Sequence, residues 1–450
     1  MIRNIKVAAA VAAVLAAGSA LATQPSPASA AAPTVGLYIA GSSAAKNAIL
    51  LGLETDLCGG SYSLFSSTGN TNFFAVSCTP AASTGIPSAN GTNVFTAWYR
   101  DEGGSVVGAL PLATGSSIAQ LALAGATGSA GSYTVAVGGS SAANGIDDSF
   151  SGGVMKVPVQ LGITDVEPGA FILDNYPSAY KSSVYGKATS AKLAGLSATT
   201  LFDQVFGIFV NTNSSAFTAA EKAGQGTING TLNLPNQTVT NALQGNITDW
   251  SKAPDTNGNA VTASSLPINV INREQGSGSR AATSIYWTDD ECNKAATSIV
   301  ETTAGTADYF STGNVLAAAN VVPGAITYAA VDGSTTSYAN LTLVQINGIT
   351  PLNLVAASGE YTDWFEATAN TGANFSSLSG AQQGLINFLI AQWQAEATVP
   401  SLNDSLAIPG NSTNVASLPV SGTAVNNGKT IYINPFTRSG ISCNSPLSFL

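Results

Sequence analysis

The run Arg273, Glu274, Gln275, Gly276, Ser277, Gly278, Ser279 couples one guanidinium to a small-residue turn that opens a helix. A turn of that kind presents backbone NH groups that have no partner within the helix, and an oxyanion fits against them. A guanidinium matches two oxygens of a tetrahedral anion through parallel, charge-assisted hydrogen bonds. The same turn chemistry recurs at residues 41–44 and, as a glycine-serine turn, at residues 103–105. In a chain with 46 glycines each turn alone is a weak signal, and residues 138–141 illustrate how freely such strings arise. Arg273 carries the weight, because only four arginines follow residue 30 and two of them, Arg273 and Arg280, flank this turn. Arg273 leaves a buried strand and is assigned to the ligand, the alternative being a surface salt bridge to Glu274 or a nearby acid. Arg280 is assigned to such a surface salt bridge.

The absence of histidine excludes a Ser/His/Asp triad. With no C-x-x-C spacing zinc has no support, and Asp147, Asp148, Asp289 and Asp290 give only a faint carboxylate cluster. The expectation is binding without chemistry: no catalytic residue, no metal and no cofactor. Residues 1–30 read as a secretory signal, with Arg3 and Lys6, an apolar stretch over 7–17 and small-residue cleavage sites ending at Ala22 and Ala30. No cysteine stands at either site to carry a lipid, and no later apolar run is long enough to span a bilayer. The chain is therefore expected in the periplasm or fully secreted. Removal of Arg3 and Lys6 leaves 13 basic against 25 acidic residues, so neither nucleic acid nor an anionic membrane is an expected partner. Cys58, Cys78, Cys292 and Cys443 form an even set for an oxidising compartment. Of the three possible pairings, Cys58 with Cys78 and Cys292 with Cys443 is favoured, because the first closes a local loop.

Charged residues make up 9% and hydrophobic residues 45%, a composition of a packed, loop-rich globule too long for a single core. Residues 35–40 read as a strand and 44–57 as a helix, with Ile49, Leu50, Leu53 and Leu57 on one face and Ser42 or Ser43 as cap. Further strands are expected at 93–99, 157–161, 266–271, 321–329, 341–346 and 352–355, with 205–210 a strong apolar run. Helices are expected at 239–243, at 279–298, and behind the capping box of Ser379 and Gln382. Residues 108–153 read as a Gly/Ala/Ser-rich insertion of little information. The alternation implies an α/β fold with parallel sheets and ligands at the strand carboxyl ends.

Five stretches, in order, resemble the periplasmic phosphate-binding protein of the phosphate ABC importer, a PstS-like member of the type II periplasmic binding protein superfamily. They are residues 38–45 (YIAGSSAA), 162–168 (GITDVEP), 243–250 (LQGNITDW), 272–279 (NREQGSGS) and 323–328 (PGAITY). The resemblance implies a two-domain α/β clamshell with the ligand cleft between domains. Residues 31–200 and 350–450 would form the first domain, 201–349 the second, and hinge closure would trap the anion. It also implies a ligand set for inorganic phosphate or a similar oxyanion: Ser43, Ala44, Ser105, Asp165, Arg273, Ser277, Gly278 and Ser279. The membrane subunits of an ABC importer would be the partner of a monomer. In that reading Asp165 accepts a proton that phosphate carries and sulfate lacks, a filter worth roughly 1.5 to 3 kcal/mol before charge repulsion is counted.

Three positions depart from the family pattern. Gln275 stands where an acid commonly accompanies the arginine, so the partner of Arg273 is absent or comes from elsewhere. Ser105 and Asp165 are 60 residues apart, far more than in the family. Ala44 lacks the aromatic ring common there, although only its NH is needed. Two rival readings are a secreted phosphatase-like relative acting at the same cleft, and a surface or matrix protein that kept the fold without the site.

Overall fold

The computed structural model describes residues 24–139, 150–171, 193, 195–288, 299–300, 309–331, 337–394, 405–406, 424–426, 429–431 and 434–448. The first 23 residues of the expected leader lie outside these, as do Cys292 and the four aspartates of the faint cluster.

Strands in chain order are β1 (Val35–Gly41), β2 (Ser63–Gly69), β3 (Phe73–Cys78), β4 (Phe95–Arg100), β5 (Ser117–Leu121), β6 (Thr127–Ser129), β7 (Ser132–Val137), β8 (Val154–Pro158) and β9 (Leu161–Thr164). They continue with β10 (Ser197–Asn211), β11 (Asn233–Leu234), β12 (Asn269–Val270), β13 (Ala325–Ala330), β14 (Leu341–Leu343), β15 (Gln345–Ile346) and β16 (Trp364–Thr371). One mixed sheet runs β12-β13-β10-β16-β9-β1-β4-β3-β2-β7-β6. The expected parallel pairing holds for β1 with β4 and β9 and for β12 with β13, whereas β10 is antiparallel to both β13 and β16. A purely parallel sheet is thus corrected to a mixed one.

β1 buries Leu37 and Ile39 and ends at Gly41, whose φ of 139° lets it lie against the Ile163 carbonyl where a Cβ would collide. That close approach brings the carboxyl ends of β1 and β9 side by side. The helix behind β1 spans Lys46–Gly52 and continues as a wider turn over Leu53–Leu57, with Ser42 Oγ accepting the Ala45 NH at 2.8 Å ahead of it.

Five sequence expectations change, one being the 341–346 strand, which is two short strands, β14 in the main sheet and β15 paired with β11. Residues 108–153 do not form a featureless insertion: they hold most of the Ser105–Thr114 helix, β5, β6 and β7, with Ala109, Leu110, Ile118 and Leu121 fully buried. The 157–161 segment is two strands broken after Pro158, which has no NH for a ladder, and β8 pairs with β5 outside the main sheet. Residues 321–329 are the end of the Thr312–Val321 helix followed by β13. The apolar run 352–355 lies in a short helix, Asn353–Ala357, a case where run length alone does not separate helix from strand. The 279–298 helix is described as Gly278–Thr283 with a wider turn over Ser284–Thr288, its remainder lying outside the described residues. The box at Ser379 forms as read: Ser379 N donates to Gln382 Oε1 at 3.1 Å and Gln382 N to Ser379 Oγ at 3.3 Å, opening the Gly380–Gln394 helix.

Apolar side chains gather in two large bodies. One holds Ile39, Ile49, Phe95, Ile163, Leu389 and Trp393; the other holds Ile208, Leu243, Trp250, Val270, Tyr328 and Trp364. β10 runs through both, since Leu201 and Phe202 belong to the first and Ile208 to Val210 to the second. A third cluster, the seam, holds Ala40, Ala44, Val106, Phe206, Ala281 and Phe365. No helix among the described residues is long and apolar enough to cross a membrane.

Cys58 and Cys78 are bridged, as the local-loop argument expects, and Cys443 is also disulfide-bonded. The first bridge ties the end of the wider turn Leu53–Leu57 to β3 across a separation of 20 residues. Replacing both cysteines with alanine is expected to lower unfolding stability by about 3 kcal/mol, the loop-entropy value for such a ring. Urea denaturation under oxidising conditions checks it, and an unchanged midpoint would contradict the assignment.

Candidate oxyanion site at the seam

The carboxyl ends of β1, β4, β9 and β12 all point at the seam, and each is followed by a polar turn. β1 leads into Ser42, Ser43 and Ala44; β9 leads into Asp165. β4 leads through Gly103 and Gly104, both at positive φ, to Ser105 on the first turn of the Ser105–Thr114 helix. β12 leads into Asn272 and Arg273, then to Ser277, the N-cap of the next helix, whose Oγ accepts the Arg280 NH at 3.2 Å.

Asp165 is 2% exposed. One carboxylate oxygen accepts from Ser42 Oγ, the other from Ser279 Oγ at 3.5 Å, and the Asp165 NH donates to Ser105 Oγ at 3.1 Å. Burial pushes its carboxyl above the ordinary range, while the Ser42 hydroxyl, the Arg273 charge and the hydroxyls of Ser105 and Ser279 pull the other way. The Cα of Gly278 faces the same group: a Cβ there would lie 2.6 Å from Asp165 Oδ2 and against Ser105 Oγ. Ser105, Asp165, Gly278 and Ser279 therefore form one contact cluster.

Arg273 is 1% exposed and forked on Glu274, with Nη2 to Oε1 at 3.0 Å and Nε to Oε2 at 3.3 Å. Nε also donates to the Tyr309 carbonyl at 3.0 Å and Nη1 to Thr312 Oγ1 at 3.2 Å. The charge partner left open by Gln275 is thus the adjacent Glu274, and the pair is buried instead of lying on the surface. Arg280 is corrected likewise: it is 2% exposed and braces the turn by donating Nη1 to the Arg273 carbonyl at 2.8 Å.

The two sides meet directly. Ser43 Oγ lies 3.1 Å from Thr312 Oγ1 and accepts the Thr312 NH at 3.1 Å, which links β1 to Arg273 through one hydroxyl. The Val106 NH donates to the Gly276 carbonyl at 2.9 Å, and Gly104 packs against Ser277. Ala44 is 6% exposed within the apolar seam. All eight expected residues consequently line or abut one seam, Ala44 through apolar packing and the others through polar contacts or their neighbours.

Sequence reasoning missed three participants. Ser42, read from the sequence only as a cap candidate, gives its hydroxyl to Asp165. Thr312 stands on the first turn of its helix with no motif around it, although Ser311 before it is a recognisable N-cap. Tyr99 donates its hydroxyl to the Ser42 carbonyl from inside β4. Among the described residues no group of three or more His, Cys, Asp or Glu is arranged to hold a metal ion.

No family model matches the chain, and no curated protein matches it in sequence. Solved structures similar to it include a protein from Clostridium perfringens assigned as a phosphate ABC transporter substrate-binding protein, with phosphate bound. Its identity is 12% and its TM-score 0.45, covering 83% of this chain and 99% of that one. An ABC-type phosphate transport receptor from Vibrio cholerae is 13% identical at a TM-score of 0.38, covering 78% and 93%. A phosphate-binding protein from Stenotrophomonas maltophilia is 13% identical at a TM-score of 0.39, covering 93% and 91%.

Gly278→Ala is the sharpest probe of the packed cluster. The added methyl must displace Asp165 or Ser105, an overpacking cost of about 1 to 3 kcal/mol. Chemical denaturation of the variant checks this, and wild-type stability would mean that the two sides do not meet as described.

Proposed function

We propose that this chain is an exported solute-binding protein that captures inorganic phosphate, or a similar oxyanion, at the seam and passes it unchanged to the membrane subunits of an ABC importer. Residues 31–200 and 350–450 would act as one lobe and 201–349 as the other, a division supported by the two apolar bodies and by the strand β10 that runs through both. The mature chain would act as a monomer without cofactor, in the periplasm or outside the cell.

The observation that carries this reading is the buried Asp165, ringed by Ser42, Ser105 and Ser279 hydroxyls and within the field of Arg273. A carboxylate is an awkward neighbour for a fully deprotonated anion and a good one for an anion that keeps a proton to donate. The charge of Arg273, the hydroxyls and the first-turn NH groups at Ser105 and Thr312, the last now given to Ser43, would serve the remaining oxygens. Three of the five stretches with a family resemblance, 38–45, 162–168 and 272–279, contain Ser42, Ser43, Asp165, Arg273 and Ser279 of this cluster.

Calorimetric titration of the mature chain with phosphate, repeated with sulfate and arsenate, tests the proposal. One saturable site for phosphate and arsenate is expected, with sulfate much weaker; no saturable heat with phosphate sinks it. In Asp165→Asn the phosphate-over-sulfate preference is expected to fall about tenfold to a hundredfold, matching a charged hydrogen bond worth roughly 1.5 to 3 kcal/mol. Thermal melting gives an independent readout, since ligand at a hundred times Kd stabilises by about 2.7 kcal/mol.

A further inference from the structure

β4 ends in two consecutive acids that the eight-residue ligand set does not use. Asp101 is fully buried and Glu102 is 1% exposed, at the mouth of the Gly103, Gly104 turn. That turn abuts the site: a Cβ at Gly104 would lie 3.4 Å from Arg273 Nη2, 3.2 Å from Glu274 Oε1 and 3.0 Å from Ser277 Cα. Glu102 is occupied by Asn70, whose Nδ2 donates to Oε2 at 2.6 Å. Asp101 has Lys46 Nζ at 3.5 Å from Oδ2, while its Oδ1 is buried and receives no hydrogen bond. A buried carboxylate oxygen without a donor is costly, and a protonated ligand is one thing that supplies the donor.

The surrounding charges bear on which ligand form that is. Lys46 faces Asp101 from the Lys46–Gly52 helix and Arg273 faces it from beyond the end of β12, with Glu102 next to it in the chain. Tyr99, two residues before, lies in the field of both Asp101 and Asp165 and gives its hydroxyl to the Ser42 carbonyl. Arg100 turns to the rings of Phe73 and Phe150 and to the Ala119 carbonyl, and Arg280 to the Arg273 carbonyl. Arg273 and Lys46 each already face a carboxylate, Glu274 and Asp101. A second negative charge on the ligand would be added to matched pairs, next to Asp165.

We propose that Asp101 is a second proton acceptor for the ligand beside Asp165, and that the site takes the doubly protonated, singly charged form of a tetrahedral oxyanion, dihydrogen phosphate or dihydrogen arsenate, in preference to the divalent form. The inference rests on the phosphate reading above and adds the protonation state. Burial holds the Asp101 carboxyl up at about 6, with Lys46 and Arg273 lowering it and Glu102 raising it. Asp101 is thus a charged acceptor above that pH and takes a proton of its own below it.

The test is the phosphate Kd of the mature chain, measured by calorimetry at intervals from about pH 5 to about pH 9. Expected is a bell: affinity falls roughly tenfold per pH unit once the anion has lost its second proton, and falls again on the acid side as Asp101 is protonated. Asp101→Asn should flatten the alkaline limb, because an amide no longer repels the divalent form. Lys46→Met, at a residue whose side chain is 30% exposed and easily spared, removes the cation that keeps Asp101 ionised and should move the acid limb to higher pH. A wild-type Kd that is constant or tightens toward alkaline pH overturns the inference and leaves phosphate binding standing. A wild-type profile in Asp101→Asn, or an unmoved acid limb in Lys46→Met, also overturns it. No binding at any pH overturns this inference and the function proposed above together.

Discussion

A guanidinium that is 1% exposed cannot stay charged without partners, since the cost of removing such an ion from water is several kcal/mol. Arg273 meets that constraint with Glu274, then with the carbonyls of Tyr309 and Phe310 and the hydroxyl of Thr312. Each partner fixes a piece of chain. The Glu274 NH donates to the Tyr309 carbonyl and the Tyr309 NH to the Asn272 carbonyl, so the segment before the Thr312–Val321 helix is laced along the end of β12. That lacing sets the first turn of the helix within reach of Ser43. The relation of the two sides of the seam therefore follows from how one arginine is neutralised.

The parts of this arrangement that were legible in the sequence are those where a local rule acts. Gly41 and the serines after it mark the end of β1 because only a glycine tolerates the Ile163 carbonyl there, and the Ser379 box announces its helix. The turn at 276–279 opens its helix as read, and the structure adds that Ser277 is the cap. What stayed hidden depends on tertiary context. The helix Ser105–Thr114 is made of Val, Ala, Leu, Gly and Pro with almost no amphipathic contrast, because it is buried nearly all round; its composition looks like filler. Asn353–Ala357 is too short for a helical period to show. Thr312 is an ordinary threonine until Arg273 and Ser43 converge on it. Glu274 sits in plain view beside Arg273, yet adjacency in sequence says nothing about whether a pair is buried or solvated.

The strands that join the two apolar bodies are also where the C-terminal segment docks. Asp203 on β10 and Glu366 on β16 are opposite one another, and burial together with Glu366 drives the Asp203 carboxyl well above its usual range. Glu366 accepts the Arg438 NH at 3.0 Å and the Gly440 NH at 2.7 Å, and Asn434 Nδ2 donates to Asp203 Oδ2 at 2.7 Å. Arg438 in turn gives Nε to the Trp364 carbonyl at 3.0 Å and Nη2 to the Thr362 carbonyl at 2.9 Å, with its guanidinium over the ring of Phe365. Acids at the crossing strands are thereby tolerated because a later piece of chain brings donors to them. The bond from Ser442 N to Glu167 Oε2 at 2.8 Å carries the same brace two residues beyond Asp165.

The seam differs from that brace in the kind of group it uses. The crossing centres on carboxylates and an arginine, with Asn434, Thr437 and Ser442 donating to the acids, whereas Ser42, Ser43, Ser105, Ser279 and Thr312 form a cluster of hydroxyls, each able to donate or accept. Ser43 Oγ now accepts the Thr312 NH, and Ser105 Oγ accepts the Asp165 NH. Under the function proposed, a tetrahedral oxyanion entering between them would need donors, and the same hydroxyls would turn to provide them while the NH groups transferred to the anion. Exchanging one such hydrogen bond for another changes the free energy by only about 1 kcal/mol each. A surface built from interchangeable partners can close on itself or on a guest at comparable cost, which is the energetic condition for capture that remains reversible.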